Sequence, residues 1–275
     1  MLLQACLNGS RTREEHPAIP RTPAELAAEG REAVAAGAQV LHLHPYDDAG
    51  TETFAAGPCA TTLRAVRAAC PRVPISLSTS EAIEPHPQRL QTISHWTELP
   101  ELVTANQGEE GIVELCDLLI ARGVGIEAGL LHLDDAHRFI DSGLADRCVR
   151  VLIEPLDAEP GPAVAHAEAM EKVLADAGVS LEQVHHGDGI ATWHVMARAL
   201  RRGHGTRAGL EDTTRFPDGQ LAPDNATLVR LATVMIRHVH PPKFVVEPHD
   251  LGIHSGVEVD DIGALIERIE DDFHH

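Results

Sequence analysis

The sequence predicts a (β/α)8 TIM barrel followed by a C-terminal extension. Three observations carry this reading. Short apolar runs alternate with longer small-residue helical patterns from one end of the chain to the other, giving eight strand–helix units. Parallel strands need crossover connections, so this alternation demands a parallel sheet. The length of 275 residues suits one such barrel. The runner-up is a doubly wound open sheet. Its nucleotide-binding version is disfavoured, because no G-x-G-x-x-G follows the first strand and no P-loop occurs. The barrel is expected over residues 1–240 and the extension over 241–275.

In chain order, Leu2–Leu7 reads as the first strand and Asn8–Arg21 as a polar loop. Thr22-Pro23-Ala24-Glu25 opens a helix with Thr as N-cap, Pro at the first helical position and Glu at the third, and that helix ends before Gly37. Gln39–His44 is the second strand, and a helix follows near Thr61–Ala69. Pro74–Thr79 is the third strand, followed by an irregular stretch with a short helix. Glu101–Ala105 and Gly123–Glu127 are the fourth and fifth strands, with helices over Ile112–Arg122 and His132–Ser142. Arg147–Ile153 and Gln183–His186 are the sixth and seventh, with helices over Pro162–Ala177 and Ile190–Arg202; Gly178 and Gly203 stop them. Thr206–Leu210 is the eighth strand and Asn225–His238 its helix. The Pro- and His-rich tail offers a short helix near Asp260–Ile269 and is read as a docking segment or oligomer contact.

Composition narrows the function. A formal charge of −20 argues for solubility and against nonspecific binding to nucleic acid or an anionic membrane. No apolar run approaches the ~18–20 residues of a membrane span. The five cysteines are odd in number and form no C-x-x-C pair, as expected of reduced thiols in a cytoplasmic protein.

The chemistry collects at strand ends, where barrels build their sites. His42 and His44 are two apart, so a strand points both to one face, roughly 6–7 Å apart at the backbone, and both rings can converge on one cation. A third ligand must come from elsewhere. On the eighth strand Arg207, Gly209 and Glu211 share a face, and Glu211 completes a set of two histidines and one carboxylate with open positions on the metal. Arg207 and Glu211 also fit a structural ion pair. Asp212 lies just past the strand, free to act as a base beside Arg207. Glu127 points inward with Gly125, and Ser76, Ser78 and Ser80 share a face that suits a carboxylate or an oxyanion, or hydroxyls satisfied by backbone. Asn8, Arg11, Thr104, Asn106, Glu154 and one of His185 and His186 complete the polar strand ends.

Four stretches resemble the β-keto acid cleavage enzyme family. They are Asn8-Gly9-Ser10-Arg11 with His16-Pro17-Ala18-Ile19-Pro20 and Thr22-Pro23; Gly37-Ala38 with His42-x-His44; His186-Gly187-x-Gly189-x-Ala191-Thr192-Trp193; and Arg207-x-Gly209-Leu210-Glu211-Asp212 with Leu221-Ala222-Pro223-x-Asn225. The resemblance covers roughly residues 1–235. It implies a Zn-dependent barrel that converts a β-keto acid and acetyl-CoA into acetoacetate and a new acyl-CoA. By position, His42, His44 and Glu211 would hold the metal, Asp212 held by Arg207 would be the base, and Ser78, Thr104 and Glu127 would line the substrate site. It also implies a homotetramer or homodimer. Mn²⁺, Ni²⁺ or Co²⁺ would fit the same ligands.

Two departures stand out. The family commonly carries Arg soon after the His pair, where this chain has Pro45-Tyr46-Asp47. Some members that take an amino-bearing substrate have an acid in the first loop, near the place of Arg11, so a non-cationic β-keto acid is expected here. The competing expectations are a metal-dependent aldolase, hydratase or amidohydrolase acting without CoA, and a non-enzymatic binding barrel.

Overall fold

The computed structural model describes residues 1–239. The expected extension and its helix near 260–269 lie outside the described residues. Eight parallel strands close into a barrel in chain order: β1 (Leu3–Cys6), β2 (Val40–Leu43), β3 (Ile75–Ser78), β4 (Leu102–Asn106), β5 (Gly125–Leu130), β6 (Arg150–Ile153), β7 (Glu182–His185) and β8 (Gly205–Ala208). The helices are α1 (Pro23–Ala36), α2 (Ala56–Ala69), α3 (Gln88–Ser94), α4 (Ile112–Ala121), α5 (Leu133–Ser142), α6 (Pro160–Asp176), α7 (Ala191–Arg201) and α8 (Asn225–Val239). The fold is therefore the (β/α)8 barrel that the alternation predicts. Among the described residues no helix is long and apolar enough to cross a membrane.

Alternation along each strand sorts the side chains. Leu41, Leu43, Leu77, Val103, Ile126, Val151 and Ile153 face the helices and form the apolar layer with Leu26, Leu63, Phe139 and Met170. The barrel interior is polar. Gln4 on β1 donates to Glu127 on β5 at 3.2 and 3.3 Å, a contact that crosses the barrel. Helix α1 starts as predicted, with a complete Thr22/Glu25 capping box and Pro23 in the first turn.

Three differences from expectation shape the site. Strand β5 continues to Leu130, so Glu127 sits in mid-strand rather than at its end. Helix α2 starts at Ala56, earlier than expected. Strand β8 stops at Ala208 instead of Leu210. Gly209 there lies so close to the Cys6 carbonyl that a Cβ would collide with it, and its own carbonyl accepts from both Asp212 and Thr213 at 3.1 Å. The chain turns at that point. Asn225 at the start of α8 holds the turn, accepting from Leu210 N–H at 2.8 Å and donating to the Leu7 carbonyl at 3.0 Å.

Outside the barrel, Glu171 on α6 pairs with Arg198 (2.7 Å), Arg202 (2.7 Å) and His204 (3.1 Å). Burial raises the Glu171 carboxyl, but these donors outweigh it and hold it down at about 2. A carboxyl depressed in the fold stabilises it at neutral pH, and that stabilisation is lost as pH falls through the window from ~4.3 to the folded value. Glu171→Gln is expected to cost about 2–4 kcal/mol at pH 7. The gap to the parent should narrow in urea titrations as pH approaches about 2.

Candidate active site

The C-terminal ends of β1, β2 and β8 meet at one corner of the barrel mouth. His42 is on β2 and His44 is the first residue past it. Their Nε2 atoms are 3.2 Å apart and lie 3.5 and 3.7 Å from Glu211 Oε1. A tetrahedral ion about 2.0–2.2 Å from each of three ligand atoms would space them about 3.3–3.5 Å from one another. The observed spacing fits. Glu211 Oε2 is buried without a partner, a second sign that the site is built around a cation.

The far side of each imidazole is held. His44 Nδ1 pairs with Glu52, and Asn8 brackets the His44 backbone, donating to its carbonyl at 2.9 Å and accepting from its N–H at 3.0 Å. His42 Nδ1 lies 3.3 Å from both Ser76 Oγ and Thr104 Oγ1. Ser76 in turn donates to Glu127 at 2.5 Å. With a cation bound, these partners would favour the tautomers that turn both Nε2 lone pairs toward it. Burial pulls His42 down to about 3 despite Glu211. Burial also lowers His44, but Glu211 and Glu52 outweigh it and lift it to about 9. Burial raises Glu211, and Arg207 with the two histidines more than reverses this.

Arg207 is 1% exposed and its Nη2 bridges Glu211 at 2.8 Å and Asp212 at 2.6 Å. Because the chain turns at Gly209, both adjacent carboxylates reach this one guanidinium, which a continued strand would not allow. Asp212 also accepts from the Cys6 thiol at 2.7 Å. Burial raises the Asp212 carboxyl, yet Arg207 and His186 hold it well below the usual range. A buried carboxylate held ionised next to a cation site is suited to taking a proton from a carbon acid.

The remaining predicted residues separate. Ser78 and Thr104 are register neighbours and buried at the mouth. Glu127 lies a layer deeper, fully buried, between Gln4, Ser76 and Arg150 at 3.5 Å; it reaches the ligands only through Ser76. Arg11 lies across the rim. Its guanidinium donates to the carbonyls of Glu211 (2.9 Å) and Asp212 (3.4 Å) and to Asp188 (3.1 Å). It thus braces the carboxylate turn. Tyr46, standing where the family commonly has Arg, donates to the Gly9 carbonyl at 2.6 Å, and Arg21 stacks 4.2 Å over its ring. Of the adjacent pair, His186 faces inward and His185 outward, stacked on His204. Glu52 was not anticipated, since one acid in a loop of acids carries no pattern. A second group of two histidines and a carboxylate, Glu171 with His185 and His204, is close enough for an ion, but Arg198 and Arg202 already neutralise its carboxylate.

Fold and site together define a (β/α)8 enzyme centred on a pair of histidines and a carboxylate beside a buried Asp–Arg pair. The sequence profile of the β-keto acid cleavage enzymes matches residues 1–243, and the chain belongs to that family. It is 30% identical over 270 residues to the 3-keto-5-aminohexanoate cleavage enzyme of Fusobacterium nucleatum, covering 88% of this chain and 94% of that one. The same enzyme of Acetoanaerobium sticklandii matches at 34% over 84 residues, 30% of this chain and 31% of that one. Among solved structures, ObcA in a ternary complex with a C4-CoA adduct and oxalate superposes with a TM-score of 0.66 at 16% identity, over 81% of this chain and 64% of that chain. This chain therefore spans a little under two thirds of ObcA. The 3-dehydroquinate dehydratase of Geobacillus kaustophilus superposes with a TM-score of 0.55 at 11% identity, over 88% and 92% of the two chains. At these identities the structures share the fold alone.

The Glu52 contact gives a direct test of the ligand geometry. Glu52→Gln should weaken divalent-metal affinity about 10- to 100-fold, measured by competition with a chromogenic chelator, while the fold persists.

Proposed function

We propose that this β-keto acid cleavage enzyme uses acetyl-CoA as co-substrate and a divalent metal, Zn²⁺ foremost, held by His42, His44 and Glu211. The observation that carries the reading is the ion-sized spacing of those three ligand atoms, with Asp212 on the same turn as Glu211. A bound divalent metal would supply Lewis-acid stabilisation of negative charge on the ketone oxygen. Asp212 takes a proton from the carbon between ketone and carboxylate, and Arg207 keeps that base ionised and oriented. Ser78 and Thr104 offer hydroxyls to the substrate carboxylate.

The resulting carbanion attacks the thioester carbonyl of acetyl-CoA and CoA thiolate leaves. The thiolate then attacks the original ketone carbon, and the bond from that carbon to the α-carbon breaks. The new acyl-CoA departs, and the acetoacetate carbanion recovers the proton from Asp212. Atoms and charge balance, with the base returned to its starting state. Use of CoA is supported by the CoA adduct named in one ObcA complex, and a β-keto acid substrate by the oxaloacetate named in another. The rim gives no support to a cationic substrate, because Glu15 and Asp188 are both paired with Arg11. We propose a homotetramer or homodimer in the cytoplasm.

A panel of β-keto acids with acetyl-CoA, read by mass spectrometry, tests the proposal. Acetoacetate and a matching acyl-CoA should form together, faster from a dicarboxylic analogue than from 5-amino-3-oxohexanoate. Asp212→Asn should lower kcat by about 10²–10⁴ with metal content retained. Cleavage at full rate without acetyl-CoA would contradict the reading.

A further inference from the structure

The loop from β7 to α7 grips Asp212 from two directions. Gly189, at φ +56°, donates its N–H to the Asp212 carbonyl at 2.8 Å. His186, fully buried, places Nδ1 3.5 Å from Asp212 Oδ1. The other ring nitrogen, Nε2, lies 3.3 Å from Glu154 Oε2. His186 and Glu154 are each the first residue past their strands, β7 and β6, and the His186 N–H bonds the Ile153 carbonyl at 3.0 Å. The two side chains therefore stand at the same height on the rim. The imidazole spans the gap between a buried carboxylate and one whose side chain is 23% exposed. Both ring nitrogens are buried and neither makes an aligned hydrogen bond, so these two carboxylates, within ion-pair distance, are the groups they face.

We infer that His186, backed by Glu154, is a positioning residue that orients the Asp212 carboxylate for proton abstraction. The inference rests on Asp212 being the base, as proposed above. Arg207 holds Asp212 from within the barrel and Cys6 from β1, so neither contacts the carboxylate on its β7 side. His186 closes that side. Glu154, 3.3 Å from the far nitrogen, is placed to fix the ring plane as the ring turns to donate to it, the arrangement by which a carboxylate commonly aligns a histidine. His186 touches none of the three metal ligands through its ring, so its effect should fall on the base and not on the metal.

Exchange of the α-hydrogens of a β-keto acid into D2O, without acetyl-CoA, reads the Asp212 step alone when followed by proton NMR on the metal-loaded full chain. His186→Asn should slow the enzyme-dependent exchange about 10- to 100-fold. Metal affinity should stay at the parent value and KM for the β-keto acid within about threefold. Glu154→Gln should slow exchange by about three- to tenfold, since it loosens the ring without removing it. Exchange at the parent rate in His186→Asn, or metal loss in proportion to lost exchange, would overturn the inference. If His186→Asn does not fold, Glu154→Gln decides alone, and the parent rate there overturns it. A parent chain that cleaves β-keto acids with acetyl-CoA yet exchanges nothing would instead refute Asp212 as the base, and this inference with it.

Discussion

Two carboxylates adjacent in sequence, the part-buried Glu211 and the buried Asp212, sit on one turn, and the architecture of the mouth answers that constraint. Like charges held this close and away from water are costly unless opposite charge is supplied at once. Arg207 supplies it from inside the barrel through one nitrogen shared by both acids. The remaining deficit sits on the Glu211 side, where two imidazole nitrogens face the same oxygen and the second oxygen is unpartnered. A divalent cation satisfies all of these atoms together. On the proposed reading the two acids divide the work, Glu211 toward the ion and Asp212 toward the substrate carbon.

The constraint explains features otherwise unconnected. Gly209 has to be glycine because the backbone passes against the Cys6 carbonyl as it turns out of β8. Asn225 and Arg11 are both occupied with main-chain groups of that turn, one from the start of α8 and one from the first loop. Each fixes backbone, so the carboxylates are held from their roots as well as their tips. The run from His42 through Ser76 to Glu127 and Gln4 ties His42 to residues deeper in the barrel. A buried acid at Glu127 is tolerable there because Gln4, Ser76 and Arg150 surround it.

Much of this was legible in the sequence, for identifiable reasons. Eight strand–helix alternations define the barrel, and His42-x-His44 at a strand end reads directly as a converging pair, because strand parity holds there. Parity also brings Arg207 and Glu211 together, as found; what it does not carry is the early strand end at Gly209, which turns Asp212 to the same guanidinium. Glu127 points inward as parity has it, but nothing in the sequence marks that β5 runs on to Leu130 and leaves Glu127 below the rim. Arg11 reads as a free cation at the mouth but is engaged with carbonyls, and Glu52 reads as one loop acid among several. In each case the deciding fact is a contact between residues far apart in the chain, which periodicity does not carry. The His185-His186 ambiguity is of the same kind: the register of β7 against β6 and β8 settles it.

The position of a bound metal is the most direct measure of this chemistry. Crystals of the active protein, measured above and below the metal's absorption edge, should show one anomalous peak bonded to His42 Nε2, His44 Nε2 and Glu211 Oε1 at about 2.0–2.2 Å. A peak at any other site in active crystals, or full turnover by protein carrying no metal, would contradict it.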